Sequence, residues 1–150
     1  MLLLLLGPDD YSKKIFIDSL TKEKGADLLG FGEGEELPQI SRLIETDLFS
    51  KAKVFVLNAL PVMAGEGLEK VISSPNQIVI VQESLDKRKK ENKELLANKN
   101  ITVKEFALPH GKDLDKWIIN RIKELGGSIS SAGAESLAIA LGRDDAKETY

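Results

Sequence analysis

Residues 48–61 read LFSKAKVFVLNALP and combine two different patterns. Residues 53–57 form a short, mostly apolar run with β-branched and aromatic side chains, which predicts a buried strand. Just before this run, Leu48 and Phe49 stand between polar residues on both sides. Two large apolar side chains in a polar connection need a surface that buries them, either inside the protein or on a partner. The role of this segment depends on which of these alternatives is correct.

Length and composition describe an ordinary globular protein. The chain has 150 residues, 42% hydrophobic and 30% charged, which is enough for one domain and part of a second. Because the formal net charge is −3, any contact with nucleic acid requires a local basic patch. The sequence has no cysteine, and therefore neither a disulfide framework nor a thiolate metal site. This composition suits the cytosol, and we expect a cytoplasmic location.

The first ten residues, MLLLLLGPDD, have only a superficial likeness to a secretory signal. They lack a basic segment, the apolar run is short, and two acidic residues follow at once. The run is also far shorter than the ~20 apolar residues that cross a bilayer. We therefore expect no membrane partner, and we predict a buried strand at residues 2–6 that ends at Gly7-Pro8.

Strand and helix patterns alternate up to about residue 110. Asp10 or Ser12 is expected to cap the first helix, and Gly25 to end it. Alternating strands and helices predict an α/β fold, in which a parallel five-stranded sheet carries helices on both faces. The strands are predicted at residues 2–6, 28–31, 53–57, 77–81 and 101–106, and the helices at about 10–24, 37–44, 67–73 and 85–98.

The pattern changes after Pro109. Apolar residues at helical spacing predict one helix over 113–125 and another that starts at Ser130 or Ser131 and ends at Gly142. We therefore expect two domains, an α/β domain over residues 1–110 and a helical piece over 111–150. Because the helical piece is short, we interpret it as the beginning of an incomplete lid-type domain.

The turn after the first strand has the position of a phosphate-binding loop in nucleotide-binding α/β proteins. Gly7 and Lys13 match the pattern G-x-x-x-x-G-K-[ST]. Ser12, however, replaces the second glycine, and Lys14 replaces the hydroxyl residue that would hold magnesium. Two aspartates within the pattern put negative charge where phosphate would bind. We therefore predict a turn that binds no nucleotide.

Other residues that could carry chemistry stand alone. The strand at 53–57 ends in Asn58-Ala59, and neither residue can position magnesium and water as an acidic pair does. Glu83 follows the next strand without an acidic partner nearby. His110 is the one histidine of the sequence, and an isolated loop histidine is usually a surface residue. We predict no catalytic residue, no cofactor and no metal site.

Four consecutive basic residues follow the fourth predicted strand. They are Lys87, Arg88, Lys89 and Lys90. One interpretation is a solvated helix face with pairs at the i,i+4 spacing, Lys87/Glu91 and Lys90/Glu94. The alternative is a contact with DNA phosphates or with an acidic partner.

Four segments, in order and at matching spacing, resemble the N-terminal region of the δ subunit of the bacterial DNA polymerase III clamp loader. Together they cover almost the whole chain. LLLLGPDDY looks like that family's first strand and turn, and DLFSKAKVFVLNAL is similar to its segment with Leu-Phe ahead of an apolar strand. QIVIVQESLDKRKK resembles its fourth strand and basic run. DLDKWIINRIKELGGSIS, followed by ESLAIALG, looks like the start of its helical second domain.

The resemblance implies an AAA+-like fold that has lost ATPase function. It implies a non-catalytic subunit of the DNA polymerase III holoenzyme, a complex that as a whole is a nucleotidyltransferase. The implied role is to bind and open the β sliding clamp during DNA replication, with Leu48 and Phe49 inserted into a hydrophobic pocket of the clamp. Other clamp-loader subunits, and DNA in the assembled complex, are further implied partners.

The sequence also departs from the family. Its members are considerably longer and have a collar domain that assembles the loader, so we expect a fragment or an unusually short relative. Residues 144–146 are more polar than the family's usual Asp-Leu-Arg run. Two alternatives stay open: a nucleotide-dependent P-loop-type enzyme, which an ATP titration would detect, and a generic α/β interaction domain in which Leu48 and Phe49 are core residues.

Overall fold

The structure, a computed structural model, describes residues 1–31, 36, 38–45, 52–59 and 66–142. The chain divides into two compact units, Met1–Ala107 and Leu108–Tyr150, and each is described by itself. The first unit contains β1 (Leu2–Leu6), α1 (Asp10–Lys24), β2 (Asp27–Phe31), α2 (Ile40–Ile44), β3 (Lys53–Leu57), α3 (Glu66–Ser73), β4 (Gln77–Gln82), α4 (Lys90–Ala97) and β5 (Ile101–Glu105). The second unit contains α5 (Lys112–Glu124) and α6 (Ser131–Ala140).

Parallel pairing of the five strands explains the unbroken apolar runs of the sequence. The strand order is β2-β3-β4-β1-β5, and each neighbouring pair is parallel. Every leucine of β1 is at most 6% exposed, because a parallel sheet with helices on both faces buries both sides of its strands. The predicted α/β fold with a five-stranded parallel sheet is confirmed.

Alternate residues of β1 belong to two different cores, as the two-residue period of a strand requires. Leu3 and Leu5 pack with Ile17 of α1 on one face of the sheet. Leu2, Leu4 and Leu6 pack on the other face with residues from three helices. These are Leu43 of α2, Val71 of α3 and Leu95 of α4. The prediction of helices on both faces is therefore confirmed.

The start of α1 differs from the sequence prediction. Asp9 caps the helix, and neither Asp10 nor Ser12 does, because the Asp9 carboxylate accepts a hydrogen bond from the backbone N–H of Ser12 at 3.0 Å. The helix ends as predicted at Gly25, whose φ of 56° lies in the left-handed region that favours glycine.

The helix α4 begins at Lys90, so the predicted start at residue 85 is wrong. The cause is Asp86. Its Oδ1 accepts a hydrogen bond from the N–H of Arg88 at 3.0 Å, and its carbonyl oxygen accepts one from the N–H of Lys89 at 3.2 Å. The carbonyl oxygen also accepts one from Nδ2 of Asn92 at 2.9 Å. An aspartate that binds its own backbone in this way competes with helix formation.

The second unit is a pair of helices with its own small core. The side chain of Ser130 caps α6 by accepting a hydrogen bond from the N–H of Gly133 at 3.1 Å. The interpretation of this unit as the beginning of a lid-type domain stays a prediction. The core residues of this unit are Leu114 and Ile118 of α5 with Ala134 and Ala138 of α6.

Within the described residues of the whole chain, no helix has the length and apolar character needed to span a membrane.

Candidate functional site

The turn between β1 and α1 stands at the carboxyl edge of the sheet, where α/β proteins bind ligands. Gly7 has a φ of 114°, and a Cβ on this residue would lie 2.2 Å from the carbonyl oxygen of Phe106. The N–H of Gly7 donates to the carbonyl oxygen of Glu83 at 2.9 Å, and the N–H of Asp9 donates to that of Phe106 at 3.1 Å. The close approach of the chain after β5 therefore accounts for this glycine without a phosphate ligand.

The N-terminus of α1 already holds an anionic group, the carboxylate of Asp9. Its Oδ1 accepts the N–H of Ser12 at 3.0 Å, and its Oδ2 accepts the hydroxyl of Ser12 at 2.7 Å. Free N–H groups and the helix dipole are what make a helix N-terminus attractive to phosphate. Here the carboxylate of Asp9 occupies that position. The turn is also short, since only residues 7–9 separate β1 from α1.

Lys13, the residue that matched the phosphate-binding lysine, is buried. Its side chain is 2% exposed, and Nζ lies 2.7 Å from Oδ1 of Asp10, whose own side chain is 87% exposed. A buried ammonium group needs a partner charge, and Asp10 supplies one. Lys13 therefore pairs with a carboxylate of its own helix.

A cleft of ≈ 680 Å³ lies beside α1, at the carboxyl ends of β2, β3 and β4. Asn58 and Glu83, which follow β3 and β4, both line this cleft. Charged residues of both signs line one wall. They are Asp10, Lys13, Lys14 and Asp18 of α1. Among the described residues, no group of three or more His, Cys, Asp or Glu side chains could hold a metal ion.

Leu48 and Phe49, the predicted clamp-binding pair, lie outside the described residues. The described chain reaches Glu45 before this pair and resumes at Ala52 after it. Leu43 of α2 and Val54 of β3 are fully buried, while Glu45 and Ala52 are exposed. Because β3 begins at Lys53, Ala52 stands at the amino edge of the sheet, opposite the β1–α1 turn.

The turn ahead of β4 contacts the backbone on both sides of residues 46–51, although the pattern Ser74-Pro75-Asn76 predicted only a turn. The side chain of Asn76 contacts the backbone of Leu43, Glu45 and Lys53. The hydroxyl of Ser74 donates to the carbonyl oxygen of Leu43 at 3.2 Å. Asn76 is buried, and a buried amide group needs hydrogen-bond partners; its burial is a property of the fold and was not visible in the sequence.

The basic run lies at the start of α4, and all four of its side chains are exposed. Nζ of Lys90 lies 3.7 Å from Oε1 of Glu94, as the helix-face interpretation predicted. Lys87 precedes the helix, so the i,i+4 helical spacing on which the predicted pair of Lys87 with Glu91 depended is absent.

Arg88 pairs with the aspartate of the turn that precedes α4. Its Nε lies 3.1 Å from Oδ1 of Asp86. The backbone N–H of Arg88, and next its side chain, hold the pKa of Asp86 below its ordinary value. Part of the positive charge of the basic run is therefore compensated within the chain.

Comparison with known proteins supplies a structural relative. No protein-family model matches the chain, and no curated protein matches it either. The fold is similar to that of a solved structure, the Bacillus subtilis DNA clamp loader delta protein (YqeN), with a TM-score of 0.57 and 17% sequence identity. The similarity covers 92% of this chain and 47% of that protein, so the chain spans about half of the relative's length. The chain thus shares the fold of a clamp loader delta protein.

Proposed function

We propose that this chain acts as a δ-type clamp-loader subunit that binds and opens the β sliding clamp during DNA replication. The observation that carries the proposal is the fold shared with the Bacillus subtilis clamp loader delta protein over 92% of this chain. The Leu-Phe pair ahead of β3, at residues 48 and 49, adds a sequence feature of the same family.

The proposed subunit has no ATPase activity of its own. The Asp9 carboxylate caps the helix that would receive phosphate, and Lys13 is buried against Asp10. At the end of β3 stand Asn58 and Ala59, which lack the carboxylates that position magnesium and water. These contacts favour a binding role over a nucleotide-dependent enzyme.

The proposed mechanism is differential affinity for two states of the clamp. Leu48 and Phe49 would insert into a hydrophobic pocket of the clamp and bind its open form better than its closed form. A ligand that prefers one of two conformations shifts the equilibrium toward it without doing chemistry. A buried aromatic anchor at an interface typically contributes about 2 kcal/mol or more.

Other contacts in the proposal belong to the assembled loader. The exposed basic run, Lys87 to Lys90, would contact DNA phosphates or an acidic neighbour there. Contacts with further loader subunits complete the set of proposed partners.

The test measures binding and stability on the same samples. The chain is titrated with the β clamp of its own organism by calorimetry, and its free energy of unfolding is obtained from a urea melt. The proposal requires saturable binding that is abolished in Leu48→Ala/Phe49→Ala at a stability cost of about 1 kcal/mol or less, as for surface changes.

A matched control is Leu28→Ala, which removes an apolar side chain that is 47% exposed on β2. It should leave clamp affinity unchanged. If the double variant unfolds the domain, the Leu-Phe pair belongs to the core, and if it binds with full affinity, the proposed contact is wrong.

A further inference from the structure

Two polar side chains are buried in the turn between α3 and β4. Asn76 is 3% exposed and Ser74 is 7% exposed. Buried amide and hydroxyl groups persist in proteins when they have hydrogen-bond partners, since leaving one unsatisfied is costly. The identity of their partners therefore indicates what these two residues hold in place.

The partners lie on both sides of residues 46–51, the segment that contains Leu48 and Phe49. Nδ2 of Asn76 donates to the carbonyl oxygens of Leu43 at 3.0 Å and of Glu45 at 2.9 Å. Its Oδ1 accepts the backbone N–H of Lys53 at 3.4 Å. One amide side chain thus connects the point where the chain leaves α2 with the point where it enters β3.

Ser74 adds to the same attachment. Its hydroxyl donates to the carbonyl oxygen of Leu43 at 3.2 Å and accepts the N–H of Asn76 at 3.1 Å. The serine therefore contacts the α2 side and also supports Asn76. Both of these partners lie on the α2 side or within the turn itself, whereas Asn76 also contacts Lys53, so the two residues are expected to contribute unequally.

The end of α2 depends on these bonds. The helix has five residues, and a helix that short has little stability of its own in water. The last carbonyl groups of a helix also lack partners within it. The amide of Asn76 and the hydroxyl of Ser74 supply partners for the carbonyl oxygens of Leu43 and Glu45, which fixes the path of the backbone up to residue 45.

We infer that Asn76, supported by Ser74, is a positioning residue for clamp binding by Leu48 and Phe49; the inference rests on the proposed function. When the backbone on both sides of a binding segment is already held in place, less conformational entropy is lost on binding. The hydrogen bonds of Asn76 should therefore raise clamp affinity, in addition to any effect on the stability of the fold.

The experiment compares three variants with the wild-type chain. Asn76→Leu removes all three side-chain hydrogen bonds at similar size, and Ser74→Ala removes the contact with Leu43. Asn92→Leu is the matched control, because Asn92 is also buried and its Nδ2 donates to a backbone carbonyl oxygen, that of Asp86, at 2.9 Å. It lies in α4, which contacts β5 at the far edge of the sheet from β2.

Clamp affinity is measured by calorimetry at a temperature where every variant is fully folded, so that unfolding cannot lower the apparent affinity. Asn76→Leu should weaken binding on the order of tenfold, the equivalent of freeing about one backbone residue. Ser74→Ala should weaken it less, and Asn92→Leu should leave it unchanged. Amide hydrogen exchange at Lys53 should accelerate in Asn76→Leu and not in Asn92→Leu. If Asn76→Leu does not fold, Ser74→Ala carries the comparison.

Each remaining outcome has a separate meaning when Leu48→Ala/Phe49→Ala is measured alongside. If that double variant loses binding while Asn76→Leu and Ser74→Ala bind like the wild type, the inference is wrong and the proposed function stands. If Asn92→Leu weakens binding as much as Asn76→Leu, the effect is not specific to the turn that holds residues 45 and 53, and the inference is again overturned. If the wild-type chain does not bind the clamp, the proposed function fails and the inference fails with it.

Discussion

At the residue scale, the backbone of Gly7 lies against the chain that leaves β5, with no space for a side chain between them. The Cβ of any other residue would meet the carbonyl oxygen and carbon of Phe106 at 2.2 and 2.6 Å. Both contacts are with backbone atoms, which cannot turn aside as a flexible side chain does. Gly7 is thus required by the packing of two strand ends.

Gly7→Ala should lower the free energy of unfolding by roughly 2 kcal/mol or more, because it adds a backbone clash to an unfavourable φ. The matched control is Gly30→Ala in β2, where a Cβ would meet nothing within 4 Å, and its effect should be small. Urea melts of both variants test the difference. Equal stability of the two variants would mean that the turn relaxes around the new methyl group.

Arg88→Gln should raise the pKa of Asp86 but leave it below the ordinary value. The variant keeps the backbone hydrogen bond, which is the larger cause, and removes the guanidinium. Since the folded-state pKa is lowered, the contribution of the pair to stability is present above the ordinary carboxyl pKa and lost as pH falls through the folded value.

An NMR titration of the Asp86 carboxyl group measures this effect, with Lys87→Gln as the control that retains Arg88. An unchanged Asp86 pKa in Arg88→Gln would show that Arg88 is unpaired in solution and available to a partner.

At the element scale, the sequence predicted the strands well and the helix starts less well. All five strands lie within one residue of their predicted bounds, because burial on both faces leaves an unbroken apolar run. The start of α4 depends instead on one side chain, that of Asp86, which competes with the helix. The contacts of Asn76 with Leu43 and Glu45 span 33 and 31 residues of sequence, so no local pattern could reveal them.

Replacing all four residues of the basic run, Lys87 to Lys90, with Gln should leave both the free energy of unfolding and the clamp affinity of this chain nearly unchanged. The side chains are exposed, and exposed ion pairs such as Lys90–Glu94 contribute little. Urea melts and calorimetry test both expectations. In an assembled loader, a DNA contact by this run would appear as weaker DNA binding with a flatter salt dependence. A large loss of clamp affinity in the isolated chain would contradict this expectation and would indicate that the basic run contacts the clamp.

At the scale of the whole first unit, the β1–α1 turn and the described backbone on either side of residues 46–51 lie at opposite edges of the sheet. The turn with the nucleotide-like motif follows β1 at the carboxyl edge, whereas the backbone that flanks Leu48 and Phe49 meets Ser74 and Asn76 at the amino edge. Under the proposed function, clamp binding through Leu48 and Phe49 would therefore not require a ligand at the β1–α1 turn.

ATP with magnesium should not raise the melting temperature of the chain, because Asp9 occupies the N-terminus of α1 and Asp10 pairs with Lys13. A ligand that binds the folded state raises this temperature in a saturable way, so a thermal melt at millimolar ATP is the measurement. The sharper test is Ser12→Gly/Lys14→Thr, which restores the letters of the motif. It too should show no shift, since the helix still begins at Asp10 and Asp9 can still accept the N–H of residue 12. A saturable shift in the wild-type chain would indicate a working nucleotide site. A shift confined to the restored variant would mean that the motif residues decide binding and that the short turn and the aspartate cap do not.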